Sequence, residues 1–373
     1  MRVTVFGTYD TSMHPRVATI AEGLAARGFD VAECNAPLGL DTAARVETLA
    51  KPWTAGRLAV RLARRWLTLA RMAHRTGRDD RPDVVLVGYL GHFDVHLARL
   101  LYRRGRVRLV LDHLVSASGT ATDRRLDGGP RQQLLKLIDT AALSAADVVV
   151  VDTEEHRAAL SARYRPKSVV VVVGAPGPWH AAGREATAGA DGTALPGSRP
   201  LRVVFYGLFT PLQGTPVIGA ALGRIAGAPI EVTMIGRGQE AAAARQAAAG
   251  NQAVRWIDWV PAAELPAVVA GHDVCLGIFG TGDKALRVVP NKVYQGAAAG
   301  CAIVTSDTAP QRRALGEAAI LVPAGDADAL AGALLRLAGD SDLLWKLRHA
   351  ARQVAADRFT PEQVVQALVE RLG

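Results

Sequence analysis

Short runs rich in Val and Ile recur along the chain, each followed by a longer amphipathic stretch. That alternation marks buried parallel strands joined by crossover helices. It occurs in two blocks. The first places strands at 3–6, 29–34, 84–87, 108–111, 148–151 and 169–173, and the second at 202–205, 230–235, 254–256, 274–278, 302–305 and 319–322. With 373 residues and roughly 150 residues to a domain, the expectation is α/β: two doubly wound, Rossmann-like parallel-sheet domains. The boundaries read as 1–175 for the first domain, 176–200 for a Gly-, Pro-, Ala- and Ser-rich linker, and 201–350 for the second. A closing helical segment at 351–373 is expected to pack back toward the first domain.

Composition narrows the classes. Hydrophobic residues at 49% and charged residues at 21% exclude a disordered chain and a disulfide scaffold. Cys34, Cys275 and Cys301 are odd in number and lie in apolar surroundings, so they read as reduced core residues without zinc or redox chemistry. The N-terminus enters a strand-like run directly, and no stretch reaches ~18 uninterrupted apolar residues. A cytoplasmic protein is expected. The +9 net charge lies almost wholly in residues 1–175. That half is expected to meet anions, or else simply carries arginine-rich helix surfaces.

Ligands of open parallel sheets bind past the carboxyl ends of the strands, so the chemistry is sought in the loops that follow each run. The first loop carries Thr8, Tyr9, Asp10, His14 and Arg16. It lacks the G-x-G-x-x-G spacing of a dinucleotide site, but it suits a hydroxylated or anionic ligand at a helix start. Gly91-His92 follows the third strand and opens a new helix. Asp112, Ser116, Asp123 and Arg124 follow the fourth. In the second block, Gly207, Phe209, Thr210, Gln213 and Gly214, and then Gly236-Arg237, repeat a strand, glycine, helix order that lets backbone amides approach a phosphate.

The most specific stretch runs from Gly280 to Gly300. It sets Lys284, Arg287 and Lys292 ahead of, and at the start of, a short helix beginning near Pro290, with Val289, Asn291 and Gln295 among them. Cations beside a helix N-terminus form a diphosphate site. Together with the glycine loops and the two-domain plan, this stretch resembles the retaining nucleotide-sugar glycosyltransferases of the GT-B fold, specifically glycosyltransferase family 4. The resemblance implies two Rossmann-like domains facing across a cleft, with the acceptor on the first and the nucleotide-sugar donor (UDP-, GDP- or dTDP-linked) on the second. It implies catalytic roles for His92, Lys284 and Arg287. Donor contacts would come from Gly207, Phe209, Thr210, Gln213, Gly214, Gly236, Arg237, Val260, Lys284, Arg287, Val289, Pro290, Asn291, Lys292 and Gln295. Acceptor contacts would come from Thr8, Tyr9, Asp10, His14, Arg16, His92, Asp112, Ser116, Asp123 and Arg124.

The chain departs from that pattern in two places. Gln213 stands where the family usually has a lysine in its first donor-domain loop, and the paired glutamates fall at Arg287 and Gln295. The resemblance then shifts the diphosphate charge to Lys284 and Arg287, and gives Gln295 the task of meeting ribose hydroxyls.

In glycosyl transfer the anomeric C–O bond lengthens while negative charge grows on the departing diphosphate, and fixed cations stabilise that charge. No carboxylate pair ends a strand to hold a divalent ion on the donor, so transfer without metal or other cofactor is expected. Asp10, Asp112 and Asp123 are left to orient or deprotonate the acceptor, and inversion stays open beside retention. Two further readings fit the same residues: a GT-B sugar epimerase, and a nucleotide-sugar binding protein without turnover.

The stretch 52–81 sets Arg57, Arg61, Arg64, Arg71, Arg75 and Arg78 on one helical face, with Leu58, Leu62, Trp66, Leu69 and Ala73 on another. It reads as a crossover helix with solvated arginines, or as a peripheral contact with an anionic membrane that would suit a lipid-linked acceptor as well as a small-molecule or glycan one. Arginine without interleaved aromatics argues against nucleic acid.

Overall fold

The computed structural model describes residues 1–10, 15–39, 52–75, 81–89, 91–103, 106–114, 116, 129–188 and 199–373, with side chains omitted at 52–55, 130 and 131. His14, Arg78, Asp123 and Arg124 lie outside the described residues.

The chain divides into two compact units, residues 1–172 with 364–373, and residues 173–363. Unit 1 holds six parallel strands, β1 (Arg2–Gly7), β2 (Asp30–Asn35), β3 (Val84–Val87), β4 (Arg108–Asp112), β5 (Val148–Val151) and β6 (Ser168–Val170), in the order β2-β1-β3-β4-β5-β6. β3 and β5 are four-residue valine-rich runs buried throughout, as central parallel strands covered on both faces must be. Alternate residues serve opposite faces. Val85, Val87, Leu109, Leu111, Val149 and Val151 pack with Leu69, Val95 and Ala142. Val84, Leu86, Val110, Val148 and Val150 pack with Val17, Ile20, Leu24, Val365, Leu368 and Leu372. The helix Gln366–Leu372 therefore completes the core of unit 1. Arg108 Nη1 donates to the Leu372 carbonyl (2.6 Å), and Arg27 Nη2 donates to Gln366 Oε1 (2.6 Å).

Unit 2 repeats the plan with β7 (Leu201–Tyr206), β8 (Ile230–Ile235), β9 (Val254–Ile257), β10 (Val274–Leu276), β11 (Ala302–Ser306) and β12 (Ala319–Val322), in the order β12-β11-β10-β7-β8-β9. The strand order reverses between β1 and β3 in unit 1 and between β7 and β10 in unit 2. Beyond the carboxyl ends at such a reversal, the outgoing loops diverge to opposite faces and leave a crevice.

Two boundaries differ from the sequence reading. The stretch taken as a linker contains a helix, Gly177–Ala188, which packs against Leu265–Ala270 and Asn291–Ala298. The helix Ser341–Arg358 runs through the expected boundary at 350, and only residues from 364 onward join unit 1. Among the described residues, no helix is long and apolar enough to cross a membrane.

Candidate functional site

In unit 2, three loops converge at the carboxyl ends of β7, β8 and β10, and glycine is what lets them meet. A Cβ on Gly236 would stand 1.9 Å from the Gly207 carbonyl oxygen. Gly214, at φ 65°, would place one 2.5 Å from the Gly280 nitrogen. Backbone therefore lies on backbone here, which no side-chain-bearing residue permits.

The sequence reading had the loop amides cradling a phosphate, but most of them are engaged within the protein. Gly207, Phe209 and Gly236 donate to the carbonyls of Ile235, Arg237 and Ile257, while Thr210, Gln213 and Gly214 donate within their own turn. Phe209 itself is fully buried, edge-on to Phe205 and Trp256. Its ring supports the loop from the core and has no surface left for a ligand.

The positive charge in this nest comes from Lys292. It sits in the first turn of the helix Asn291–Ala298, and only 4% of it is exposed. Its ammonium lies 4.0 Å from the centre of the Phe205 ring and donates to Gln213 Oε1. A Cβ on Gly207 would come 3.2 Å from Nζ. Burial lowers its pKa to about 7, because a cation removed from water is disfavoured unless an anion faces it. Lys292 thus reaches Gln213 from the helix after β10, with the glutamine as its partner.

The other two cations of the segment are placed differently. Arg287 is exposed on the short 3₁₀ turn Ala285–Arg287, where it pairs loosely with Asp283 at 3.5 Å. Lys284 precedes that turn and is half-buried. Val289 is buried, and Pro290 and Asn291 open the helix. Thr210 and Val260 are half-buried, and Arg237 is exposed. Gln295 corrects an expectation: it is buried, and its Oε1 accepts from the Tyr206 hydroxyl at 2.8 Å. Tyr206 in turn stacks on Trp179, with ring centres 5.6 Å apart. The oxygen assigned to ribose is therefore held in the core.

Unit 1 gives a similar sorting. Thr8 donates through its amide and its hydroxyl to Asp94 Oδ2, both at 2.8 Å, and Trp66 Nε1 donates to Asp94 Oδ1 at 2.8 Å. Tyr9 is buried against Gly88 and donates to Glu33 Oε1 at 2.7 Å. Arg16 is wholly buried; its Nε donates to Asp112 at 2.9 and 3.1 Å, and its Nη2 to the Val171 carbonyl at 2.9 Å. Burial pushes the Asp112 carboxyl up while Arg16 pulls it down. A carboxylate and guanidinium closed on each other inside the core are a structural clasp, so Arg16 and Asp112 tie the first helix to the sheet and leave acceptor binding to others. Asp10 and Ser116 are half-buried.

His92 sits beyond β3, buried, with Nε2 at 3.0 Å from Asp139 Oδ1. His113, beyond β4, meets it edge-on with ring centres 5.4 Å apart. Burial pushes His113 down to about 4, so its imidazole is neutral. Asp139 carried no signal in the sequence: it is one acid on a long helix, and only the fold brings it under His92.

Comparison with known proteins agrees with this architecture. Residues 200–340 match the family model described as glycosyl transferases group 1. No curated protein sequence matches the chain. Among solved structures, it is similar to a sucrose-phosphate synthase from Thermosynechococcus elongatus (TM-score 0.68, 15% identity, covering 99% of this chain and 97% of that one). It is also similar to Anabaena HepE in complex with UDP and glucose (0.67, 13%, 100% and 99%), and to a UDP-forming α,α-trehalose-phosphate synthase from Burkholderia vietnamiensis (0.65, 12%, 100% and 98%). The two six-stranded parallel sheets with flanking helices are those of the GT-B glycosyltransferase fold.

Proposed function

We propose that the protein is a glycosyltransferase that moves a sugar from a nucleotide-sugar donor to a hydroxylated acceptor. One observation carries the reading. Lys292, a buried ammonium that meets Gln213 and the Phe205 ring and no carboxylate among the described residues, stands where the β7 and β10 loops meet, at the point of a doubly wound sheet where ligands bind. A diphosphate is the group it fits. As the anomeric bond breaks, the growing charge on the leaving diphosphate meets an ammonium already fixed by Phe205 and Gln213, so little reorganisation accompanies the step. Lys284 and Arg287 add positive potential from the turn ahead of the same helix. The match of residues 200–340 to glycosyl transferases group 1, and the complexes of the similarly folded Anabaena HepE with UDP and glucose and with UDP-glucose, support this assignment.

The acceptor is assigned to unit 1, with Asp10 and Ser116 as contacts and His92 meeting the donor sugar. Transfer proceeds with retention and without a metal on the diphosphate, the leaving oxygen taking the acceptor's proton on the same face of the sugar. We place the protein at the cytoplasmic surface of an anionic membrane. The helix Pro52–Arg75 exposes Arg57, Arg61, Arg64, Arg65, Arg71 and Arg75 and contains no acid. Its Leu58 and Leu69 are buried in unit 1 while Val60 and Leu67 are exposed, and the attraction we propose is that of the arginines for anionic headgroups.

Incubation with UDP-, GDP- and dTDP-sugars, with and without EDTA, tests the reading. Slow hydrolysis that EDTA does not abolish is expected. A new sugar epimer would replace the proposal with an epimerase, and tight binding without turnover would replace it with a sensor.

A further inference from the structure

Unit 1 holds a cluster of which the transfer chemistry calls for His92 alone. His92, His113 and Asp139 are all buried, and one potential ligand atom from each lies within 4.8 Å of the others. His113 Nδ1 is buried and makes no hydrogen bond among the described residues, in a side chain only 7% exposed. An orphaned ring nitrogen at such depth carries a desolvation penalty that a ligand would relieve.

We propose that His92, His113 and Asp139 form a three-ligand site for a zinc-class divalent ion. Two imidazoles and a carboxylate are a donor set of borderline softness, which favours Zn²⁺ over Mg²⁺ or Ca²⁺. A tetrahedral ion with arms of about 2.1 Å keeps its ligand atoms about 3.4 Å apart. His92 Nε2 and Asp139 Oδ1 already stand 3.0 Å apart, so the cluster closes on an ion by small side-chain rotations. Three protein ligands leave the fourth position to water.

The three residues come from three elements: the loop after β3, the first residue past β4, and the helix Gly129–Ala145. An ion there cross-links them. Because it binds the folded arrangement and not the unfolded chain, it raises the unfolding temperature. It also occupies the His92 nitrogen, so Zn²⁺ is expected to inhibit turnover reversibly; that last consequence rests on the transferase reading, whereas binding does not.

The test is a Co²⁺ titration of the full chain after EDTA treatment and dialysis. The visible bands of tetrahedral Co²⁺ should saturate at one equivalent and vanish on adding Zn²⁺. Asp139→Asn, which preserves size, should lower affinity by at least about tenfold, and His113→Gln should do the same, while His349→Ala, on an exposed stacked histidine remote in sequence, should leave the bands intact. X-ray absorption of the zinc-loaded wild type should show scattering from two imidazoles, a readout that needs no variant to fold. Absence of the bands, bands that survive both cluster variants, or a spectrum without two imidazoles would each overturn the site. Failure of turnover with intact Co²⁺ bands would count against the transferase reading alone.

Discussion

Replacing Lys292 by Met keeps an unbranched side chain, one heavy atom shorter, and removes its charge, and two opposite effects should follow. The lysine is 4% exposed, and its pKa falls from 10.5 to about 7. Below pH 7 the folded and unfolded states both hold the proton, and folding bears the full cost of burying an ammonium. Between pH 7 and 10 the unfolded chain keeps a proton that the folded protein has released, so wild-type stability rises with pH by about 1.4 kcal/mol per unit, or roughly 3 kcal/mol from pH 7 to 9. The direction is the reverse of that for a lysine or histidine that gains an acidic partner. Lys292→Met lacks this term. It should be more stable than the wild type at pH 6, with the margin narrowing by roughly 3 kcal/mol toward pH 9, as read by urea unfolding followed by circular dichroism. Turnover should meanwhile fall by about 10²–10³-fold, and wild-type donor affinity should weaken about tenfold per unit above pH 7 as the ammonium is lost. A stability margin independent of pH would refute the burial argument, and full turnover in the variant would remove Lys292 from the donor site.

Other outcomes follow from the same geometry. Asp112→Asn leaves the Arg16 guanidinium buried without its counter-charge and should cost about 3–5 kcal/mol in equilibrium unfolding; a cost below about 1 kcal/mol would mean the pair is hydrated. Gly236→Ala drives a methyl group to 1.9 Å from a backbone oxygen and should lower the melting temperature of unit 2 and weaken nucleotide binding together, while Gly282→Ala, whose added atom meets nothing within 4 Å, should leave both unchanged. Reversing Arg61, Arg64 and Arg71 to Glu should abolish sedimentation with phosphatidylglycerol vesicles, each arginine near an anionic surface contributing about 1 kcal/mol; equal binding to neutral vesicles would rule out the electrostatic contact.

The strands were legible because parallel strands buried on both faces read as uninterrupted Val and Ile runs, as in β3 and β5. The helix Gly177–Ala188 was not. Its glycine and alanine content suggests a flexible tether, but a Cβ on Gly183 would stand 2.2 Å from the Ala298 carbonyl, so the small residues serve close helix packing instead. The site was legible at the level of residue type. Lys284, Arg287 and Lys292 were all visible as cations, but which of them enters the nest depends on Phe205, Gly207 and Gln213, which lie some eighty positions away. The burial of Gln295 is hidden from the sequence for the same reason: its partner Tyr206 is distant along the chain. His113 and Asp139 carry no spacing that marks them, and only the closure of the sheet brings them beside His92.

The connectivity makes unit 2 a guest within its host. Residues 173–363 are one unbroken piece, so a fragment with those ends should be recoverable by itself, and the proposed nucleotide binding can be tested without the rest. The reverse dissection fails. A fragment ending at 172 lacks the cover that Val365, Leu368 and Leu372 lay over Val84, Leu86 and Val110, and it would present bare hydrocarbon to water. A workable host fragment must splice 364–373 back on, through a short Gly-Ser bridge or by circular permutation.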